Sequence, residues 1–169
     1  MSMIGEYRRI TSGQLYDLQE ALRRDPYAVS AFLHPEGRSY DKPDPRLRIG
    51  KAWHGVHFLL NGKPWEGEPP LVSAVLGGTE IGDDLGYGAV RYLTPEQVRE
   101  VAAALNEVEE VDLRSRFDAS RFAAANIYPR GWERSDQSTQ DWLWEAFVSV
   151  RAFFADAAYF GDVMLLYLS

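Results

Sequence analysis

The sequence contains no cysteine among its 169 residues. Disulfide bonds, thiolate nucleophiles and thiolate metal ligands are therefore excluded, and the composition suits a reducing compartment. Long apolar runs are also lacking, both near the N-terminus, where a secretory signal would need one, and elsewhere, where a membrane-spanning helix would need one. We therefore expect a cytoplasmic protein with no membrane partner.

Positive charge is scarce as well. The chain has 18 Lys and Arg against 25 Asp and Glu, which gives a formal net charge of −7 and a pI near 5.0. Nucleic-acid binding depends on clustered basic residues, and membrane-surface binding depends on a polybasic tract. We therefore expect no nucleic acid among the partners, whereas an acidic surface would suit a basic protein.

Apolar and aromatic residues are plentiful, and the length is typical of one domain with one core. Residues 2–10 and the C-terminal VMLLYL, 163–168, have the character of strands. Thr11 and Thr94 are each followed three residues later by a glutamine, the capping-box spacing that begins a helix. An amphipathic helix is predicted over 138–160, ended by Gly161.

These elements predict an α+β fold. We expect residues 1–169 to form a single domain with a small mixed sheet that includes the N- and C-terminal strands and is packed by amphipathic helices. The apolar segment LVSAVL, 71–76, suits either a buried strand or a short helix.

Only three histidines are present, and two of them lie three positions apart in KAWHGVHFLL, 51–60. We place this stretch on a helix over 49–61 closed by Gly62. His57 then lies at the edge of the apolar stripe, packed and hydrogen-bonded, while His54 points to the polar side and is partly exposed. The pair is incomplete as a metal site, because helical zinc motifs space their histidines four apart and a third ligand is needed. The third histidine, His34, begins a segment over 34–45 that is rich in Pro, Gly and charge, and it is predicted to be an exposed residue of a surface loop.

The segment 65–98 is dense in glycine and matches neither a phosphate loop nor a dinucleotide fingerprint, since it lacks the Lys of the first and the third Gly of the second. Its glycines indicate either a tight structural crossing or a loop that faces a ligand. Glu80, Asp83 and Asp84 match no calcium loop and are interpreted as a solvated acidic turn.

Several segments carry a family resemblance: MSMIGEY, KAWHGVHFLLNG, PLVSAVLGG, GYGAVRYLTPEQV and IYP. Their order over nearly the whole chain resembles the YfbM-like family, a bacterial family of unknown function. The resemblance implies a small, single-domain α+β bacterial protein with no established activity. The matching pattern within the second segment is Trp53, a polar residue at position 54, His57 and Phe58.

For function, the sequence favours a non-catalytic module that binds an unknown small molecule or protein in an aromatic-walled groove. The groove is predicted from the helix, the Gly-rich loop and the turn IYPRGW, 127–132, and its residues are Trp53, His54, His57, Glu80, Asp83, Tyr87, Tyr128 and Trp132. No catalytic residue, no metal ligand and no cofactor is assigned, and we expect a monomer or weak dimer.

The alternative is a hydrolase-like or metal-assisted enzyme. It would use His54 and His57 with an acidic residue of the Gly-rich loop, Glu80 or Asp83. Convergence of these side chains in one cleft, with a shifted histidine pKa, would favour it. A serine nucleophile elbow, GxSxG, is absent from the sequence.

Overall fold

The computed structural model describes residues 2–35 and 45–169. Most of the predicted surface loop, residues 36–44, lies outside the described residues, and His34 is exposed as predicted. The described residues form a sheet of five strands with helices on both of its faces. The strands are β1 (Gly5–Ile10), β2 (Arg46–Gly50), β3 (Thr79–Asp84), β4 (Ala89–Leu93) and β5 (Val163–Leu168). The helices are α1 (Ser12–Leu22), α2 (Ala28–Leu33), α3 (Trp53–Asn61), α4 (Pro95–Asn106), α5 (Glu110–Ser115), α6 (Ala119–Ala124) and α7 (Gln137–Phe160), with 3₁₀ turns at Leu71–Ala74 and Trp132–Arg134.

The sheet order is β2-β1-β5-β4-β3, so the C-terminal strand lies at its centre, beside the N-terminal one. The α+β prediction is therefore confirmed, including the position of both terminal strands. The strand directions differ from the predicted mixed sheet, because every pair among the described strands is antiparallel. Strand direction follows from the path of the connections, which the hydrophobic pattern of a strand does not report.

The central strand β5 explains why helices cover both faces. Successive side chains of a strand point to opposite faces. Met164 and Leu166 join the core beneath α3, α4 and α7, whereas Leu165 and Tyr167 join a second core beneath α1 and α2. A strand that is apolar on both faces must be covered twice, and this makes VMLLYL the hydrophobic centre of the fold.

The helix ends follow the local chemistry of the sequence. Both predicted capping boxes are present. The side chains of Thr11 and Thr94 each accept a hydrogen bond from the backbone N–H of the glutamine three residues later, and the side chain of that glutamine accepts one from the backbone N–H of the threonine. Gly62 and Gly161 end α3 and α7 in the left-handed conformation that glycine adopts without steric cost. No helix within the described ranges has the length and apolarity needed to cross a membrane.

Two predicted elements are corrected. The helix predicted over 49–61 begins only at Trp53, because residues 46–50 pair with β1 as strand β2 and Gly50 turns the chain at a φ of +60°. Ile49 lies on strand β2, but its side chain still faces the core. Its position in the sequence therefore matched the apolar spacing of a helix. The segment LVSAVL, for which a strand and a short helix were both open, contains a 3₁₀ turn.

Candidate functional site

Helix α3 is enclosed on all sides, and every residue from Trp53 to Leu60 is buried. The indole of Trp53 is stacked on the ring of His54, with ring centroids 4.7 Å apart, and it also lies 6.0 Å from the ring of Tyr128. Trp65, from the loop that follows α3, packs its ring 4.4 Å from His54 while remaining 58% exposed. These four residues form the Trp53 cluster, an aromatic stack with one indole at the surface.

His54 is fully buried, so the prediction that it is partly exposed was wrong. Its Nδ1 accepts a hydrogen bond from the Tyr128 backbone N–H at 2.9 Å, and its Nε2 donates to the Pro64 carbonyl at 2.7 Å. An N–H can only donate and a carbonyl can only accept, which selects the neutral Nε2–H tautomer. Burial lowers the pKa of His54, although the bond to Pro64 opposes that shift. Helical periodicity missed this burial because distant segments, at residues 64 and 128, cover the side of α3 that the pattern marks as polar.

His57 is also fully buried, as the prediction of a packed helix flank requires. Its Nδ1 lies 3.3 Å from the Asn61 side-chain nitrogen, but no described group meets hydrogen-bond geometry at its Nε2. The pKa of His57 is lowered to about 4, mainly by burial and also by repulsion from the neighbouring His54. The backbone carbonyls of Glu66 and Lys63 oppose this shift. Both histidines are therefore neutral at pH 7.

The acidic members of the predicted groove lie elsewhere. Glu80 and Asp83 are exposed on β3, an edge strand of the sheet, and Tyr87 lies in the turn that follows. No hydrogen bond or ion pair of the described residues joins them to either histidine. Within residues 2–35 and 45–169, no group of three or more His, Asp or Glu side chains is arranged to hold a metal ion. The catalytic constellation that the enzyme alternative requires is not assembled.

Trp132 lies in a separate aromatic region. Its Nε1 donates to the Ile127 carbonyl at 2.7 Å, which holds the indole in place. The ring of Phe122 packs against it at a centroid distance of 4.6 Å, and the ring of Trp142 lies on another side at 6.5 Å and 29°. The side chain of Trp132 thus forms a rigid aromatic platform that is only 4% exposed.

Two adjoining hollows open beside this platform and share Arg130, Gly131 and Trp132 in their walls. The first, of about 160 Å³, is completed by Pro129, Arg134, Ser135, Thr139 and Trp142. The second, of about 260 Å³, is completed by Ala123, Asn126, Ile127 and Glu133. We call the two hollows together the Trp132 groove. Among the eight predicted groove residues, Trp132 is the one that lines both hollows.

Arg130 and Arg134 are exposed, and no hydrogen bond or ion pair of the described residues engages either guanidinium. Other arginines are held: Arg9 pairs with Asp162 at 2.9 Å, and Arg114 pairs with Asp141 at 2.7 Å. The groove therefore presents two uncommitted cations in a chain whose net charge is −7.

Comparison with known proteins places the chain in a family. The model described as "Domain of unknown function (DUF1877)" matches residues 1–167. The chain belongs to the DUF1877 family. Among solved structures, it is similar to a protein of unknown function, YfbM from Escherichia coli, with a TM-score of 0.72, 22% sequence identity, and coverage of 98% of this chain and 99% of that one. No curated protein matches.

The resemblance inferred from the sequence segments is thus confirmed, and the similarity to YfbM establishes a shared fold. Neither comparison assigns an activity to the DUF1877 domain. The sequence analysis missed Arg130, Arg134 and Trp142 as groove residues. One signal was available: three of the five tryptophans fall within residues 132–144, close to two arginines of an acidic chain.

Proposed function

We propose that this DUF1877 protein is a non-catalytic binding module that holds a small molecule in the Trp132 groove. The observation that carries the proposal is a pair of hollows bordered by Trp132 and, in one of them, Trp142, whose charged side chains have no hydrogen-bond or ion-pair partner among residues 2–35 and 45–169. Small-molecule sites combine apolar walls with a few convergent polar groups. The two hollows, of about 160 and 260 Å³, are each suited to a small ligand.

Rigidity supports the same assignment. The hydrogen bond from Trp132 to Ile127 and the packing of Phe122 hold the platform in one orientation before any ligand arrives. A preformed wall lowers the entropy lost on binding. The Trp132 indole is itself only 4% exposed, so the half-buried Trp142 supplies the accessible aromatic surface of the groove. In the Trp53 cluster, Trp53 and His54 are fully buried.

The enzyme alternative draws no comparable support. His54 uses both ring nitrogens in hydrogen bonds to the backbone, and His57 is enclosed by the core. A general base must lie within hydrogen-bond reach of its substrate. Neither histidine ring meets that condition, because both are fully buried in this structure.

The proposal is tested with a panel of small aromatic compounds and the indole N–H signals of the five tryptophans in a ¹H–¹⁵N correlation spectrum. Binding in the groove should shift the signals of Trp132 and Trp142 in a saturable manner. Trp142→Leu should abolish the shift of the Trp132 signal, and Trp65→Leu should leave the shifts intact, because it removes a more exposed indole from the other aromatic region. Shifts confined to Trp53 and Trp65, or no saturable shift with any compound, would reject the proposal.

A further inference from the structure

The charge of the Trp132 groove narrows the chemistry of its ligand. In the smaller hollow, the ionisable residues of the wall are Arg130 and Arg134, both cationic. Glu133 lines the larger hollow only. A guanidinium presents a planar fork of donors that matches the two oxygens of a carboxylate or the oxygens of a phosphate. The smaller hollow is therefore complementary to an oxyanion.

The carboxylate two residues after Arg134 is engaged at the start of α7. Asp136 caps α7, accepting a hydrogen bond from the Thr139 backbone N–H at 3.2 Å and another from the Ser138 hydroxyl. These bonds lower the pKa of Asp136, so it stays ionised and directed to the start of its own helix. No hydrogen bond or ion pair among the described residues joins Asp136 to Arg130 or Arg134.

The rest of the wall is suited to a flat apolar group. Trp142 and Trp132 border the smaller hollow, with their rings 29° from parallel. Aromatic rings favour offset-stacked contacts with one another, so this part of the wall suits an aromatic ligand. Ser135 and Thr139 add hydroxyl groups beside the arginines. The hollow thus joins an aromatic surface to a cationic rim within one small volume.

We propose that the Trp132 groove binds a small aromatic oxyanion, with its ring against the half-buried indole of Trp142 and its carboxylate or phosphate bound by Arg130 and Arg134. This inference rests on the proposed function, because it names the ligand class of the same groove. It gives a role to the two exposed arginines that lie in the same wall as the half-buried Trp142.

The test uses three probes that share one ring and differ in charge: 2-naphthoate, 2-naphthyl phosphate and the neutral 2-naphthamide. Isothermal titration and the indole N–H shifts of Trp132 and Trp142 are measured on the full chain. At least one anion should bind saturably, and the amide at least about tenfold more weakly, because it loses the charge-assisted bonds. The stronger of the two anions identifies carboxylate or phosphate as the recognised group.

Arg130→Gln and Arg134→Gln should each weaken anion binding by about tenfold, since each removes one charged donor. Arg99→Gln is the matched control, because Arg99 is an exposed arginine of α4 outside the groove, and it should leave the affinity unchanged. Equal binding of amide and anions at Trp132 and Trp142 would overturn the oxyanion inference and leave the binding module intact. Anion binding that all three arginine variants weaken alike would also overturn it, since the attraction would then be diffuse.

Discussion

The Trp53 cluster and the Trp132 groove contain similar residues but differ in whether their nitrogen groups are hydrogen-bonded within the protein. Each combines two tryptophans with ring or guanidinium nitrogens. In the Trp53 cluster, both nitrogens of His54 are bonded to backbone groups and the stack is closed by the loop after α3. In the Trp132 groove, the arginines have no partner among the described residues and the indoles border open hollows. This difference is the reason why the proposed site is assigned to the Trp132 groove and not to the Trp53 cluster.

The largest effect is expected from Trp53→Ala. Trp53 is fully buried and donates its Nε1 hydrogen bond to the Met3 carbonyl at 3.3 Å. Truncation should lower the free energy of unfolding by about 4 kcal/mol, through lost burial and a residual cavity. Trp65→Ala, in the same cluster but 58% exposed, should cost less than about 1 kcal/mol. Urea titration monitored by circular dichroism measures the free energy of unfolding of both variants. Equal losses would contradict the difference in burial between Trp53 and Trp65.

The next largest effect is expected from acid, which should destabilise the fold by protonating the buried histidines of α3. The folded pKa of His57 is about 4, below its ordinary value of 6.5. Between these values the unfolded chain binds more protons than the folded one, so stability is full above pH 6.5 and falls as the pH drops toward 4. The loss should reach up to about 3 kcal/mol. The lowered pKa of His54 acts in the same direction.

Denaturant midpoints measured from pH 7 to about pH 4.5 test this dependence, because most carboxylates titrate below that range. His57→Phe should flatten the pH profile whatever its effect on absolute stability. A wild-type profile that is flat over this window would show that the two histidines are not enclosed.

Gly55 connects the two regions, because it lies on α3 beside the platform. A Cβ at this position would lie 2.7 Å from Leu143 Cδ2 and 3.3 Å from the indole of Trp132. Gly55→Ala should therefore cost about 1 to 2 kcal/mol through overpacking, despite the better helix propensity of alanine. Gly13→Ala, where the nearest atom would be 3.7 Å away, should be neutral or stabilising by up to about 1 kcal/mol. A stabilising Gly55→Ala would contradict the tight packing behind Trp132.

The smallest effect on stability is expected from the groove arginines. Arg130→Gln and Arg134→Gln should each change the free energy of unfolding by less than about 0.5 kcal/mol, because neither cation has a partner to lose. Arg9→Gln should cost about 1 to 2 kcal/mol, because it removes a hydrogen-bonded pair with Asp162 that is only 16% exposed on each side. Thermal unfolding at matched ionic strength measures all three. Losses as large as that of Arg9→Gln would assign the groove arginines a structural role.

Local signals predicted much of the fold. The capping boxes at Thr11 and Thr94, the terminal glycines of α3 and α7, and the apolar run of β5 depend on residues close together in the chain, so their outcome could be derived from spacing. The start of α3 could not, because Ile49 fits a helical stripe equally well from the strand that pairs with β1. That pairing links residues about 40 positions apart.

The candidate site was predicted less completely, and for the same reason. The sequence predicted that the IYPRGW turn and Trp132 line the groove. That Arg130, Arg134, Ser135 and Trp142 line the same hollow depends on how the turn packs against the first turns of α7. The sequence also predicted that Glu80 and Asp83 would lie with the histidines, yet β3 is at the edge of the sheet and α3 is buried against its face.

The sequence by itself determined the composition limits, the family resemblance, the α+β class and most helix ends, since each depends on residue chemistry or short-range geometry. Only the tertiary structure decided strand direction, the closure of His54 and His57, and the openness of the Trp132 groove. Burial of a side chain is a property of the segments that cover it, and those segments are far away in the chain.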